Sequence, residues 1–375
     1  MTIRHPNDQG PVRVLIVGQT PPPYYGQALS IERILRGRYK RLSLFHVRMA
    51  FSKRIEDVGK FGLNKIGHLL HVIFSITYQR LRYRIAVLYY PPAGPHKTPM
   101  YRDLAILLST RWLFKKTVFC FHMTGLFELY HKMSPFLRFL FRRAYFGADL
   151  AMQLSVLNAS DGHHLRAKKT VVIPHGIEDS YSTFRGKPGR RKEVPNMLFV
   201  GIIRESKGVL VLLDACRILK EGGFSFIMTL VGTFEDPGFR HSVSDFLDRY
   251  HLGRFIRFPG ILTDEDKWKV FAEADIFCFP TLAETFGMVV LEAMVFGLPV
   301  VATRCGGIPF MIEDEKSGFL VPKKDSRALA EKSALLLENR PLREAMGKRG
   351  REIYLRQFTA EGFWQDLEQA FLSIA

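Results

Sequence analysis

"ADIFCFPTLAETFGMVVLEAMVFGLPVVAT", residues 274–303, decides the fold. The apolar run at 275–279 predicts a buried strand. A loop then carries Glu284, and a helix is predicted from Gly287 or Met288 to Phe296. Gly297 suits the position after the C-terminus of that helix, and Pro299 prevents its continuation. "LPVVAT" follows as the next strand. Glu284 therefore falls in the loop after a strand's carboxyl end, and Glu292 about one turn into the helix. In an open parallel sheet, ligands collect at that edge. The unpaired N–H groups at the start of a helix favour a phosphate. A carboxylate does not bind phosphate, but it accepts hydrogen bonds from hydroxyls. A ligand with hydroxyls, a diphosphate and more hydroxyls is a nucleotide sugar. The same spacing also occurs in α/β proteins without such a ligand, so the neighbouring sequence has to decide.

Outward from this stretch, short β-rich runs alternate with longer amphipathic ones, the rhythm of parallel α/β layers. "VRVLIVGQ" (12–19) reads as the first strand. A proline-rich loop, "TPPPYYGQ" (20–27), and a helix follow. "LSLFHVRM", "RIAVLYY", "TVFCFHM", "ADLAMQLS" and "KTVVIPHG" supply further strands. Residues 179–195, "DSYSTFRGKPGRRKEVP", have no apolar periodicity and read as a linker. The rhythm restarts at "NMLFVGII" (196–203) and continues through "SFIMTLVG", "RFIRFPG", "ADIFCFP", "PVVAT" and "SGFLVP". The remainder is helical, with breaks expected at Pro341 and near Thr359. The expected organisation is an N-terminal domain at 1–178, the linker, a C-terminal domain at 196–357 and a final helix at 358–375.

The chain has 375 residues, 47% hydrophobic and 24% charged, which suits folded domains rather than disorder. Its four cysteines are scattered singly, without metal or redox spacing, and read as reduced thiols in a cytosol. The polar start lacks a signal-peptide core, and the longest apolar run, "LLHVIFSITY" (69–78), is too short to span a bilayer. The formal charge of +18 is one-sided. Residues 1–185 hold 28 Lys+Arg against 10 Asp+Glu, whereas residues 186–375 hold 26 of each. The first half is therefore suited to an anionic partner.

The neighbouring sequence supplies the context. "FPTLAETFGMVVLEAMVFGLPVVATRCGGIPFMI" (279–312), "NMLFVGIIRESKGVLVLLDA" (196–215) and "VVIPHGIED" (171–179) occur in the order and spacing of the family 4 glycosyltransferases, and the chain closely resembles that family. The resemblance implies the GT-B fold: two Rossmann-like domains facing a central cleft, with a C-terminal helix crossing back to the N-terminal domain. The N-terminal domain would hold the acceptor and the C-terminal domain the nucleotide-sugar donor. Glu284 would meet the donor sugar's hydroxyls, Glu292 the ribose, and Lys207 the diphosphate. Phe286, Gly287, Met288 and Val289 would line the diphosphate through their backbones, beside Gly201. Many members carry an arginine where this chain has Ile202, and Arg204 is the candidate replacement. Many read Pro-Asn-Gly where this chain has Pro174-His175-Gly176, and His175 is read as structural. In the proline loop, Tyr25 stands where a first glycine is common, while Gly26 keeps the backbone open to close approach. His122 matches a cleft histidine beside the transferred sugar.

No metal or cofactor is expected. His163 and His164 are adjacent, not the i, i+4 pair of a helical zinc site. "LTDED" (262–266) reads as a helix start capped by Thr263 or Asp264. The leaving diphosphate would be stabilised by Arg204, Lys207 and the helix N-terminus. Retention of anomeric configuration is implied by the resemblance alone.

On the acceptor side, "SPFLRFLFRRAYFG" (134–147) mixes Phe136 and Phe139 with Arg138, Arg142 and Arg143, and "LLHVIFSITYQRLRYR" (69–84) ends in Arg80, Arg82 and Arg84. Such segments either rest on an anionic membrane or are core helices with a basic edge. The expected partners are a nucleotide-sugar donor and a saccharide or lipid-linked acceptor, in polysaccharide or lipopolysaccharide synthesis at the inner face of the cytoplasmic membrane. A nucleotide-sugar epimerase on the same fold is the nearest alternative. A nucleic-acid-binding protein would suit the charge, but no motif supports it.

Overall fold

The structure, a computed structural model, describes residues 10–22, 26–51, 64–158, 160–184 and 194–375. It divides into two compact units, Met1–Gly176 with Ala360–Ala375, and Ile177–Thr359.

The first unit is built on β1 (Val12–Gly18), β2 (Leu42–Arg48), β3 (Val87–Tyr90), β4 (Lys116–Phe121), β5 (Leu150–Gln153) and β6 (Thr170–Val172). All neighbours are parallel, in the order β2-β1-β3-β4-β5-β6. Parallel strands buried on both faces need apolar side chains in both directions, which is why they read as continuous apolar runs. Leu15 and Val17 enter one core cluster, and Val14 and Ile16 the other. α2 (Asn64–Arg82), α3 (Lys97–Thr110) and α5 (Pro135–Tyr145) cover the first of these faces, while α1 (Gly26–Arg36) covers the second. Two short helices, α4 (Leu126–His131) and α6 (Ser160–His164), pack on each other, and α6 also on β4 and β5. Tyr25, in the proline loop, lies outside the described residues.

The second unit repeats the plan with β7 (Asn196–Val200), β8 (Ile227–Val231), β9 (Ile256–Gly260), β10 (Ile276–Phe279), β11 (Val300–Thr303) and β12 (Gly318–Val321), ordered β12-β11-β10-β7-β8-β9 and again parallel. Its helices are α7 (Ser180–Thr183), α8 (Val209–Glu221), α9 (Pro237–Arg249), α10 (Asp264–Ala272), α11 (Met288–Val295), α12 (Ile308–Met311), α13 (Ser326–Glu338) and α14 (Arg340–Gln357). The segment expected to be a linker thus opens with a helical turn, α7, and Asp179 at its cap is ion-paired to Arg351 of α14 at 2.8 Å.

Apart from Glu292, α11 is apolar, and its residues from Val290 to Val295 are buried among β10, β11 and α14. Its end follows from the sequence Phe296-Gly297-Leu298. Gly297 takes φ +66, and the amides of Gly297 and Leu298 donate to the carbonyls of Met294 (3.1 Å) and Ala293 (3.0 Å), closing a Schellman motif. The break expected at Pro341 falls two residues earlier, at Asn339. Asn339 ends α13 and caps α14, its side chain accepting from the Leu342 amide.

The last helix, α15 (Ala360–Leu372), belongs to the first unit. Phe363, Leu367 and Phe371 enter the core cluster of Ile16, Ile31 and Tyr89. The Trp364 indole donates to the Arg33 carbonyl at 3.0 Å, and Glu368 accepts from the Arg41 amide at 2.7 Å.

Candidate functional site

The strand order of the second unit reverses between β10 and β7: the chain builds β7, β8 and β9 outward on one side, then returns to build β10, β11 and β12 on the other. The loops leaving such a switch point diverge and open a crevice. The loop after β7 carries Gly201, Arg204 and Lys207, and the loop after β10 carries Glu284, Phe286 and Gly287. Backbone bonds stitch the two together, with the amides of Leu282 and Ala283 both donating to the Ser206 carbonyl, at 2.9 and 3.3 Å. The stitching requires a glycine beside it. Gly208 has φ +70, and a Cβ there would lie 1.9 Å from the Pro280 carbonyl oxygen.

Within this frame Lys207 and Glu284 are direct partners, Nζ to Oε2 at 2.8 Å, and both are mostly buried. Lys207 also lies 5.4 Å from the centroid of the Phe279 ring. The other Glu284 oxygen accepts from the Thr285 amide at 3.0 Å. The backbone under Glu284 is buttressed from β11's loop, where Gly306 (φ +54) has so little room that a Cβ would sit 2.0 Å from the Glu284 carbonyl oxygen.

α11 starts at Met288 with Gly287 (φ +95) as its cap, as the sequence predicts. Its first turn holds half-buried Met288 and Val289 beside buried Phe286. Backbone N–H groups in the first turn of a helix have no intrahelical acceptor. Glu292 lies one turn further on and is only 7% exposed. One of its oxygens pairs with Lys267 of α10 at 2.7 Å, and the other is buried without a partner among the described residues.

Lys267 is the site residue that sequence reading missed. Set in "DEDKWK", it reads as one charge on an acidic helix start, and nothing local says that it turns toward a carboxylate 25 positions away. Thr263 does cap α10 by position, although its side chain makes no capping bond. Arg204 does not join Lys207 and Glu284. Its guanidinium pairs with Glu235 at 3.1 Å, in the loop after β8.

His122 and Gly26 lie in the other unit. His122 follows β4, is buried, and stacks on His175 at 5.5 Å between centroids. Neither of its ring nitrogens has a partner among the described residues, and burial pushes its pKa down to about 4. It is therefore a neutral imidazole. Its loop is fixed by Asp161, also missed, whose carboxylate accepts from the amides of Gly125, Leu126 and Phe127 at 2.8, 3.2 and 2.9 Å. His175 is buried against Ser30, His122 and Phe363, a packing role as expected. Burial, with His122 and Arg33 nearby, holds it well below the usual histidine range. A Cβ on Gly26, at the start of α1, would meet nothing within 4 Å among the described residues.

Two parallel six-stranded sheets, each with a switch point of this kind, define the GT-B architecture. Residues 180–353 match the profile of glycosyl transferases group 1. WcaL of Escherichia coli K12, named for a glycosyltransferase of colanic acid biosynthesis, is 26% identical over 74% of this chain and 67% of its own. The phosphatidyl-myo-inositol mannosyltransferase of Mycobacterium leprae is 34% identical over 50% of this chain and 49% of its own. The chain thus spans about half to two thirds of these relatives' lengths. Among solved structures, Anabaena Alr3699/HepE in complex with UDP superposes with a TM-score of 0.74 at 19% identity, covering 96% of this chain and all of that one. Fold and matches together support a glycosyltransferase.

Proposed function

We propose that the protein transfers a sugar from a nucleotide-sugar donor, bound by the second unit, to a saccharide or lipid-linked acceptor in the synthesis of a bacterial surface polysaccharide or lipopolysaccharide. The observation that carries this reading is the placement of Glu284 and Glu292 on either side of the α11 N-terminus, at the switch point, with Lys207 beside them. The names of the polysaccharide and lipid relatives support the acceptor class.

In this reading the Lys207–Glu284 pair is a holding arrangement. A donor offers the lysine a diphosphate and the carboxylate a set of hydroxyls, so both partners exchange one internal contact for a contact to ligand. As the bond between sugar and diphosphate breaks, charge grows on the phosphate oxygens, where Lys207 and the first amides of α11 meet it in a largely buried setting. Glu292, already fixed by Lys267, accepts from the ribose hydroxyls through its unpartnered oxygen. The reading assigns no step to a metal ion. Retention, with the leaving phosphate taking the acceptor proton, is the stereochemistry that goes with the family resemblance.

A donor screen with purified protein, following nucleoside diphosphate release with and without saccharide acceptors, tests this. Release stimulated by an acceptor and unaffected by a chelator is expected. Conversion of a donor to its epimer without release, or no turnover with any nucleotide sugar, would overturn it.

A further inference from the structure

α2 carries apolar residues on two opposite faces. Its inner face is apolar, with Val72 and Ile76 fully buried in the core. Its outer face is apolar too: Ile66, Leu70, Phe74, Tyr78 and Leu81 are 44, 63, 68, 54 and 64% exposed. They recur every three or four residues and so form one continuous ridge along the helix. A helix apolar on two opposite faces normally has both covered by protein. This one lies on the surface, and a contiguous apolar ridge of this size marks an interaction site.

The ridge has company. α3 packs against both α2 and α5, and all three cover the same face of the sheet. On α5, Phe136 and Phe139 are 71 and 59% exposed. The charge of this layer selects the occupant. α2, α3 and α5 together carry eight Lys+Arg and one acid, Asp103. Asp103 is fully buried and paired with Arg102, so it does not face outward. A second copy of this chain would bring the same cations against themselves. An anionic lipid surface instead accepts apolar rings and cations together.

We propose that the outer layer of the first unit docks on an anionic bilayer, with α2 lying in the interface plane and its ridge inserted among the lipids. Among the described residues no helix is long and apolar enough to cross a membrane, so attachment is peripheral and reversible. The structure also sorts the cations. Arg138 is turned back onto the end of α4, donating to the carbonyls of Tyr130 and His131 at 3.1 and 2.7 Å, and Arg80 donates to the Leu113 carbonyl at 2.8 Å. Arg82, Arg142 and Arg143 are exposed; the first two lie 5.6 Å from the Tyr83 and Phe146 ring centroids, contacts that leave their N–H groups open to headgroups. The proposal stands apart from the donor reading, because nothing in it involves the second unit.

The test is flotation of the full chain with phosphatidylcholine vesicles, with and without phosphatidylglycerol. Wild type should float only with the anionic vesicles and be released by high salt. Arg142→Ser with Arg143→Ser should weaken partition about fivefold per cation removed. Leu70→Ser, Phe74→Ser and Tyr78→Ser together should abolish it at low salt. Their circular dichroism and nucleoside diphosphate affinity should stay at wild-type values, which separates lost docking from lost folding. Wild type left unbound by anionic vesicles at low salt overturns the proposal. So does a well-folded α2 variant that floats like wild type. So does a dimer in sedimentation equilibrium that Phe74→Ser dissociates, since the ridge would then be covered by a second copy.

Discussion

Replacing Gly306 by alanine tests whether the position of Glu284 matters, without touching Glu284 itself. The new Cβ would lie 2.0 Å from the Glu284 carbonyl oxygen and 3.0 Å from that of Thr285, whereas real Cβ atoms stay at least 3.0 Å from such neighbours. The glutamate's backbone and the β11 loop must therefore part by about 1 Å, the scale on which misplacement costs about 10²-fold in rate. The left-handed φ of +54 adds about 1–2 kcal/mol of strain for a residue with a side chain. For a unit of this size, each kcal/mol lowers Tm by about 2–4 °C. Gly306→Ala should thus remain folded at room temperature, melt several degrees early, and turn over about 10²-fold more slowly with the donor found by the screen. Its affinity for the nucleoside diphosphate alone should change much less, because Glu292 and α11 are not displaced directly. Initial rates, calorimetry and a melting curve give all three quantities. A kcat within about twofold of wild type, despite the lowered Tm, would refute the assignment of Glu284 to the transferred sugar.

Glu292→Gln should weaken nucleoside diphosphate binding by about 1.5–3 kcal/mol, the worth of a hydrogen bond to a charged group, and calorimetry showing unchanged affinity removes Glu292 from the site. Lys267→Met should cost about tenfold in the same assay by freeing the carboxylate from its fixed orientation, with Lys267→Arg restoring part of it; if Met binds as tightly as wild type, the lysine positions nothing. Lys207→Ala should lower kcat about 10²-fold, whereas Arg204→Ala, held by Glu235 on a more exposed edge, should stay within a few-fold; the reverse ranking would make Arg204 the diphosphate cation. Buried His122 holds its proton less readily folded than unfolded, so its contribution to stability is complete above about pH 6.5 and is lost as pH falls toward 4. That loss amounts to about 3 kcal/mol, with His175 acting in the same direction. Urea titrations near pH 7 and pH 4 should show His122→Phe losing less than wild type over that interval.

Twelve strands were legible in the sequence because both sheets are parallel and covered on two faces, which leaves unbroken apolar runs such as "VLIVG" and "IFCF". The end of α11 was legible because Phe296-Gly297-Leu298-Pro299 is local chemistry. The order of the strands was not, since hydropathy marks a strand as buried without naming its neighbours. The Lys267–Glu292 pair was hidden for the same reason: an ion pair between two helices leaves no trace in the spacing of either. α2 was ambiguous from the other direction. A mostly apolar run over 69–78 is what a core helix and a helix at a lipid surface both produce, and only exposure separates them.

The return of α15 to the first unit has a consequence for how the chain is made. On the ribosome, Ile16, Ile31 and Tyr89 emerge early, but Phe363, Leu367 and Phe371, which seal them, follow the whole of the second unit. For as long as some 180 intervening residues are being synthesised, that face of the first sheet has α1 over it but lacks α15. At about 5–20 residues per second this lasts roughly ten to forty seconds. A nascent protein exposing apolar surface for that long needs a holding chaperone or a slow collapse, so yield in the cell should respond to translation speed through residues 177–359 more steeply than the stability of the finished fold would indicate.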